Sequence, residues 1–425
     1  MHPSLPLVVA LLGAAALPAA AQSTLVRVET ADGQVQTGTL QALRDGRLLL
    51  ASPDGAESSV AVADLVLLSE VLPPPPPKAP PTPLIAPEPA TPPPADDLLL
   101  LAGPAGDRLV GRVVGGDADG VQFQLAAGSA FTVSYDRIAR LLPAARLPVD
   151  RLLLLAGGGA DDRLWRMRPD GGLDSLTGVV DRVADGHVVF EGALGHQEFP
   201  LADVVAVVLA EGGAPDDAPL PGVPVTARLA GGSRVHAGLL ELDDAHVVLA
   251  TRFAARLELP TSALLALVRR GDGRVLLADL APAEVEEHPG DGVPGDVLFP
   301  WRADLSVTGR LLSVEGLPRA TGLGVHADSR LVFDLPPHCR TLRVTAGLCD
   351  EVRELPAVGS VEFKVLVDGQ QRAGARVTEG DPAAELRVEG LAGAKRLELH
   401  VTDGGDDDAG DRAAWVDGVL ISGEN

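Results

Sequence analysis

One pattern recurs four times in the first two thirds of the chain, with its parts always in the same order. Its first half reads GTLQALRDGRLLL (38–50), GRVVGGDADGVQFQL (111–125), GVVDRVADGHVVF (178–190) and GLLELDDAHVVLA (238–250). Its second half reads SVAVADLVLL, FTVSYDRIARLL, EFPLADVVAVVL and LELPTSALLALV. A preceding apolar run appears as TLVRVET, DLLLLA, DRLLLLA and VPVTARLA. Apolar and polar residues alternate with period two, and turn signals fall every few residues, so these are strands and not helices. Repeats of this length are supersecondary units that bury their faces by closing or stacking. Five short strands per unit predict small SH3-like or Sm-like β-barrels, which leave few open edges. The pairs Asp45-Gly46, Asp119-Gly120 and Asp185-Gly186 suit tight hairpin turns with positive φ. The predicted units cover 24–71, 98–145, 149–212 and 221–270. WRMRPDGGLD (165–174) reads as a non-repeat element at the front of the third unit, with Trp165 in its core.

The first two units are separated by VLPPPPPKAPPTPLIAPEPATPPPADD, a Pro-rich linker over 72–97. Proline removes backbone donors and favours polyproline II. At ~3.1 Å per residue such a stretch spans roughly 70 Å, so the first unit is expected to be tethered at a distance. The chain opens with an apolar run ending in Pro18-Ala19-Ala20-Ala21, which reads as a signal peptide over 1–21. The expectation is an exported protein, periplasmic or extracellular, and not an integral membrane protein.

The formal net charge is −24, from 35 Lys and Arg against 59 Asp and Glu. That surface repels phosphate backbones, which excludes nucleic acid as a partner and leaves neutral sugars or divalent cations. Aromatic residues are few, 8 Phe, 3 Trp and 1 Tyr, so the cores must be built from Val, Leu and Ala. Cys339 and Cys349 flank RTLRVTAGL, which alternates as one strand. Ten extended steps separate them by roughly 33 Å, against the ~4.4–6.8 Å that a disulfide requires. Two free, buried thiols follow. The chain carries no HExxH, GxSxG, Walker loop or CxxC. His187, His196, His236 and His246 stand apart from one another and read as turn or core residues. The fragment GLGVHA lacks the helix that a dinucleotide loop needs. No catalytic residues are assigned, and the chain reads as a non-enzyme.

The last third reads WRADLSVTGRLLSVEG, GLGVHADSRLVFDL, CRTLRVTAGLCDEV, GSVEFKVLVDGQ and AKRLELHVTDGGDDDAGDRAAWVDGVLIS. These strings resemble, in order and spacing, the NPCBM carbohydrate-binding-module family found with glycosyl hydrolase family 98. The resemblance covers 272–425. It implies a galactose-binding-like jelly-roll sandwich, so the whole chain is expected to be all-β. The ligand site would lie on loops at one end, and the partners would be glycans of galactose type. The family commonly shows DHADW where this chain has Asp411-Arg412-Ala413-Ala414-Trp415, so that motif's His and second acid are missing. Sugar recognition needs a flat apolar face and a few polar groups for the hydroxyls. The candidate ligand residues are Trp301, His326, Asp350, Glu351 and Trp415. Trp415, ahead of alternating VDGVLIS, equally reads as packed inside the sandwich, and His326 as a hydrogen-bonded structural residue. Asp350 and Glu351 end a strand, where a solvated turn explains them nearly as well. Asp403, Asp406, Asp408 and Asp411 concentrate carboxylates in one loop. Calcium takes six to eight oxygen ligands from such loops, and a solvated acidic turn is the other reading. No cofactor is required. Two functions stay open: an exported glycan-recognition or adhesion protein, and a cell-envelope scaffold binding envelope proteins through a sandwich that no longer takes sugar.

Overall fold

The computed structural model describes residues 24–52, 54–71, 97–102, 106–143, 159–168, 172–210, 218–271, 273–287, 299–406 and 408–422. The signal-peptide reading, most of the Pro-rich linker and the run DRLLLLA (150–156) lie outside these residues. Every described element is a strand or a short 3₁₀ turn.

Among the described residues, the first twenty strands fall into four sets of five. Unit 1 comprises Leu25–Thr30, Val35–Arg44, Arg47–Ala51, Glu57–Ala61 and Leu65–Glu70. Unit 2 comprises Asp97–Leu101, Arg108–Gly116, Gly120–Leu125, Ala130–Ser134 and Ile138–Leu142. Unit 3 comprises Asp162–Met167, Leu173–Ala184, His187–Gly192, Gly195–Pro200 and Val204–Val208. Unit 4 comprises Val223–Leu229, Arg234–Leu242, His246–Ala250, Leu257–Pro260 and Leu264–Arg269. In each unit the first four strands pair in order, and the fifth returns to the first, all antiparallel.

The repeated glycine explains why the second strand of each unit bends. A Cβ on Gly111, Gly178 or Gly238 would lie 2.0, 2.1 or 1.8 Å from a backbone carbonyl oxygen, and on Gly38 2.9 Å. Within a few residues the pairing to the third strand slips by one, at Leu40/Ala42, Val113/Gly115, Val180/Arg182 and Leu239/Glu241. A bulge beside a glycine lets a strand curl around its own core. Asp45-Gly46 and Asp185-Gly186 adopt positive φ as expected. The expected Asp119-Gly120 turn does not: there the Asp117 carboxylate accepts the N–H groups of Asp119 and Gly120 instead. The side chain replaces the left-handed pair as the device that closes the turn.

Two expectations are corrected. Trp165 does not sit in an extra element; it lies in the first strand of unit 3, paired with Ser175 on one side and Ala206 on the other. It packs with Leu98, Leu142 and Val205 between units 2 and 3. Nor is unit 1 held at a distance. Its fifth strand pairs with the fifth strand of unit 4 through Leu67↔Val268, Leu68↔Leu267 and Ser69↔Ala266. Units 2 and 3 join in the same way through Leu141↔Val207 and Arg140↔Val208. A strand edge buried against a second edge satisfies the backbone groups of both, and the linker sequence alone carries no trace of that pairing.

Two antiparallel sheets follow. One holds Arg302–Ala303, Gly322–His326, Arg412–Ser422, Cys339–Leu348 and Ala384–Glu389 in that order, with Arg274–Leu276 on the far end of Arg412–Ser422. The other holds Glu284–Glu287, Ser329–Asp334, Arg396–Thr402, Ser360–Val367 and Gln370–Thr378. Their inner faces alternate in burial and share a core that includes Leu323, Phe333, Leu342, Phe363, Leu399 and Trp415. This is a sandwich. Cys339 and Cys349 are buried and unbonded at the two ends of one strand.

The outer face of the first sheet is covered. Val66 and Leu67 of unit 1 and Ala266 and Val268 of unit 4 pack with Leu276, Ala320 and Val419 of the sandwich. Around them Arg343 donates to the Thr30 carbonyl at 2.7 Å, and Arg228 to the Arg319 carbonyl at 2.7 Å.

Candidate functional site at one end of the sandwich

The end of Gly322–His326, the start of Arg412–Ser422 and the end of Cys339–Leu348 coincide, because His326 pairs with Arg412 and Leu348 with Ala413. The 3₁₀ turn Asp350–Glu354 and the acidic loop before Arg412 therefore emerge at the same end. Ser360, which opens a strand of the second sheet, is tied there by its N–H to Asp411 Oδ1 at 2.8 Å.

His326 leaves its strand with the imidazole stacked on Phe299, centroids 4.8 Å apart and planes 18° from parallel. The Arg412 guanidinium lies 5.2 Å from the centre of the same Phe299 ring, within cation–π range. His326 Nδ1 donates to the Ala327 carbonyl at 2.6 Å, which leaves Nε2 as the acceptor of the neutral ring. Burial holds this histidine below its ordinary pKa, and the Arg412 charge adds to that against the opposing hydrogen bond and Asp408. Trp301, two residues beyond Phe299, is half-buried; its backbone N–H donates to the Glu287 carboxylate, and its ring rests against the sandwich core.

The other candidates are differently employed. Trp415 is 1% exposed and meets Phe363 edge-to-face at 4.8 Å. It lies in the core, as one of its two sequence readings held. Asp350 accepts the Ser313 hydroxyl and the Gly316 N–H, holding the 313–318 hairpin. Glu351 is 7% exposed. Its Oε2 accepts Ser306 Oγ at 3.1 Å and Thr308 Oγ1 at 2.6 Å, and its Oε1 stands 3.9 Å from Arg412. Both carboxylates thus clamp the loop laid over the sheet.

Asp411 is fully buried, and its Oδ2 has no hydrogen-bond partner. Burial, then the charges of Asp406, Asp408 and Asp403, push its carboxyl up to about 7 against the pull of the Ser360 N–H. Among the described residues no three His, Cys, Asp or Glu are placed to hold a metal ion. The four aspartates crowd one loop without enclosing a cation.

Phe299 and Arg412 were not among the sequence candidates. Phe299 offered a signal, since FPW puts two aromatics in one loop. Arg412 stands where the resembled family has histidine, a position read from sequence only as a loss. Ala414, where the family's second acid stands, is buried with Leu312, Val314 and Cys349, where a carboxylate would lack solvation.

Residues 274–421 match the NPCBM/NEW2 domain. No curated protein matches the chain. The CBM51 of Clostridium perfringens GH95 in complex with methyl-galactose is similar at 23% identity, over 35% of this chain and 99% of that one, TM-score 0.31. The CBM51-2 and INT domains of C. perfringens ZmpB, with GlcNAc, are similar at 20% identity, over 44% of this chain and 38% of that one, TM-score 0.31. Tandem CBM51 modules of the family 98 glycoside hydrolase of Streptococcus pneumoniae SP3-BS71 are similar at 14% identity, over 61% and 88%, TM-score 0.31. Among the described residues no helix is long and apolar enough to cross a membrane.

Proposed function

We propose that the chain is an exported, non-catalytic glycan-recognition protein that takes a sugar of galactose type at the loop end bearing Trp301, Phe299, His326 and Arg412. The match of 274–421 to the NPCBM/NEW2 domain carries this reading. The site chemistry supports it. Trp301 supplies partly exposed aromatic surface for C–H stacking, His326 Nε2 accepts a hydroxyl proton, and Arg412 donates. Non-catalysis is supported by Asp350 and Glu351, which are engaged in the loop clamp. Glycoside hydrolysis needs two carboxyls facing each other across the sugar.

The four five-stranded units are small SH3-like or Sm-like barrels in this reading, serving as spacer and assembly surface. The acidic loop is where a structural calcium would bind, through Asp411 Oδ2 with Asp403, Asp406 and Asp408 drawn in around it. As placed, the four do not form a ligand set, so binding requires the loop to close.

The second reading, a cell-envelope scaffold binding envelope proteins, is favoured by one observation. The outer face of the sandwich is already an interface with units 1 and 4. A glycan-array screen of the full chain, with and without calcium, separates the two. Binding that weakens at least tenfold in Trp301→Ala is expected. A folded chain that binds no glycan in either condition transfers the assignment to the scaffold.

A further inference from the structure

Unit 2, unit 4 and the sandwich meet at a buried histidine. In the unit 4 strand Arg234–Leu242, Val235 and Ala237 belong to the barrel core. Successive side chains alternate across a strand, so Arg234 and His236 point out of that core, toward the other two bodies. Asp107, just ahead of the unit 2 strand Arg108–Gly116, is fixed by its own carbonyl, which accepts the Leu101 N–H at 2.8 Å. Its carboxylate Oδ1 meets both the His236 backbone N–H at 2.7 Å and the ring Nδ1 at 2.6 Å. On the far side of the ring, Nε2 stands 3.8 Å from Oδ1 of Asp279, in the turn Leu277–Asp279 of the sandwich. Nε2 is sealed from solvent and has no hydrogen-bond partner among the described residues. His236 is 7% exposed and Asp107 6%.

Facing a carboxylate that also accepts a backbone N–H, Nδ1 carries the proton of the neutral ring. The proton that decides the charge is therefore the one on Nε2. The neighbouring charges are already matched. Arg234 and Arg270 each stand 2.9 Å from Asp279, and Arg234 Nε stands 2.8 Å from Asp304. Arg252 pulls on Asp107 from farther away, and Arg108 lies within electrostatic reach of Arg234 and Asp304. Two arginines against Asp279 and Asp304 leave Asp107 as a buried anion beside a neutral ring. A proton on Nε2 cancels that charge and presents Asp279 with a charged donor. Asp107 feels the same pressure: burial, with Asp279 adding to it, pushes its carboxyl up to about 7 against Arg234, Arg270 and Arg252.

We propose that His236 is a proton-operated latch between the barrels and the sandwich: charged in mild acid, it bridges Asp107 of unit 2 to Asp279 of the sandwich, and above neutrality it lets Asp279 go. The raised carboxyl fixes the sign. Its contribution is full below about pH 4 and is lost as pH rises through about 7. A proton held on Nε2 between two carboxylates acts in the same direction. The latch draws on no residue of the loop end bearing Trp301, so it stands or falls apart from the glycan reading above.

The test is hydrogen exchange of the full chain at pH 6.5 and 8.5, with protection corrected for the intrinsic rate at each pH. In the wild type, peptides over 234–238 and 277–280 should lose at least threefold in protection at the higher pH. His236→Asn keeps a donor near the place of Nδ1 and has nothing to titrate, so it should show less than half of that loss. Nitrogen-15 shifts of the wild-type ring should show Nε2 protonated at pH 6.5 and bare at pH 8.5, which a merely structural histidine would not give. Equal losses of protection in wild type and His236→Asn overturn the latch, as does a ring in the same state at both pH values. Should His236→Asn not fold, the ring titration of the wild type decides by the same criterion.

Discussion

Trp301 and Trp415 are the same residue type in one module and do different work, because of what surrounds them. Trp415 is sealed between the sheets against Phe363, so Trp415→Ala should cost about 3–5 kcal/mol, read as a lowered urea midpoint. Trp301 is half-buried against the core, so Trp301→Ala should lower the midpoint by less than Trp415→Ala does and act on glycan binding as well. Asp411 sets a third prediction. Its unpartnered Oδ2 and the three neighbouring carboxylates repel one another, and a divalent cation would relieve that. Millimolar calcium should raise the Tm of the wild type and leave Asp411→Asn unmoved; equal Tm values in calcium and in chelator for the wild type would refute the site. Trp301, His326, Asp350 and Glu351 were legible as loop-end residues, because each closes or borders a strand motif. Their employment was not. The Ser306 and Thr308 hydroxyls that hold Glu351 come from a loop more than forty residues earlier.

At the scale of the element, the glycine that opens each repeat is the main determinant. Periodicity announces the strands, and glycine decides where the second strand turns back on itself. Gly178→Ala places a methyl 2.1 Å from the Glu191 carbonyl and 2.8 Å from the Phe190 ring. It should destabilise by more than ~2 kcal/mol, through either lost pairing or displaced Phe190. Gly159→Ala, where a methyl meets nothing within 4 Å, serves as the neutral control in the same unfolding experiment. The repeat was readable because strand order, turn residues and this glycine recur together. LWRM reads as lying outside the repeat because its Arg and Met break the strict alternation seen in the other units. The pairing of Asp162–Met167 with Val204–Val208 places it in a strand of unit 3.

At the scale of the molecule, fifth strands join units 1 to 4 and 2 to 3, and the first pair docks on the sandwich. Cleaving an engineered protease site within the Pro-rich stretch should therefore leave unit 1 bound to the rest on size exclusion; release of the fragment would contradict the pairing. The junction also contains Asp417, whose Oδ2 receives Arg319 Nη1 at 2.9 Å while Oδ1 has no hydrogen-bond partner. Burial pushes this carboxyl from an ordinary 3.8 up to about 6, Arg319 pulling the other way. Between those values the folded chain keeps a proton that the unfolded chain has lost. The contribution is thus full below about pH 4 and is lost as pH rises through 6, on the order of 3 kcal/mol. Urea midpoints at pH 4.5 and 7.5 should show a smaller fall in Asp417→Asn than in the wild type; equal falls would place the titration elsewhere.

What this sequence determined by itself is local and periodic: all-β structure, four repeats of one strand order, two thiols too far apart along a strand to bond, and a C-terminal module with its ligand candidates at strand ends. Alternation, turn chemistry and strand rise are properties of neighbours in the chain, and neighbours are visible in a sequence. Only the tertiary structure decided which edges meet. The joining of units 1 and 4 across the Pro-rich stretch, the burial of Trp415 against Phe363, and the pairing of Arg234 with Asp279 and Asp304 all bring together residues far apart in sequence. Backbone edges pair wherever a free edge of suitable register comes near, and buried charges settle wherever an opposite charge awaits them. Both are facts of proximity in space.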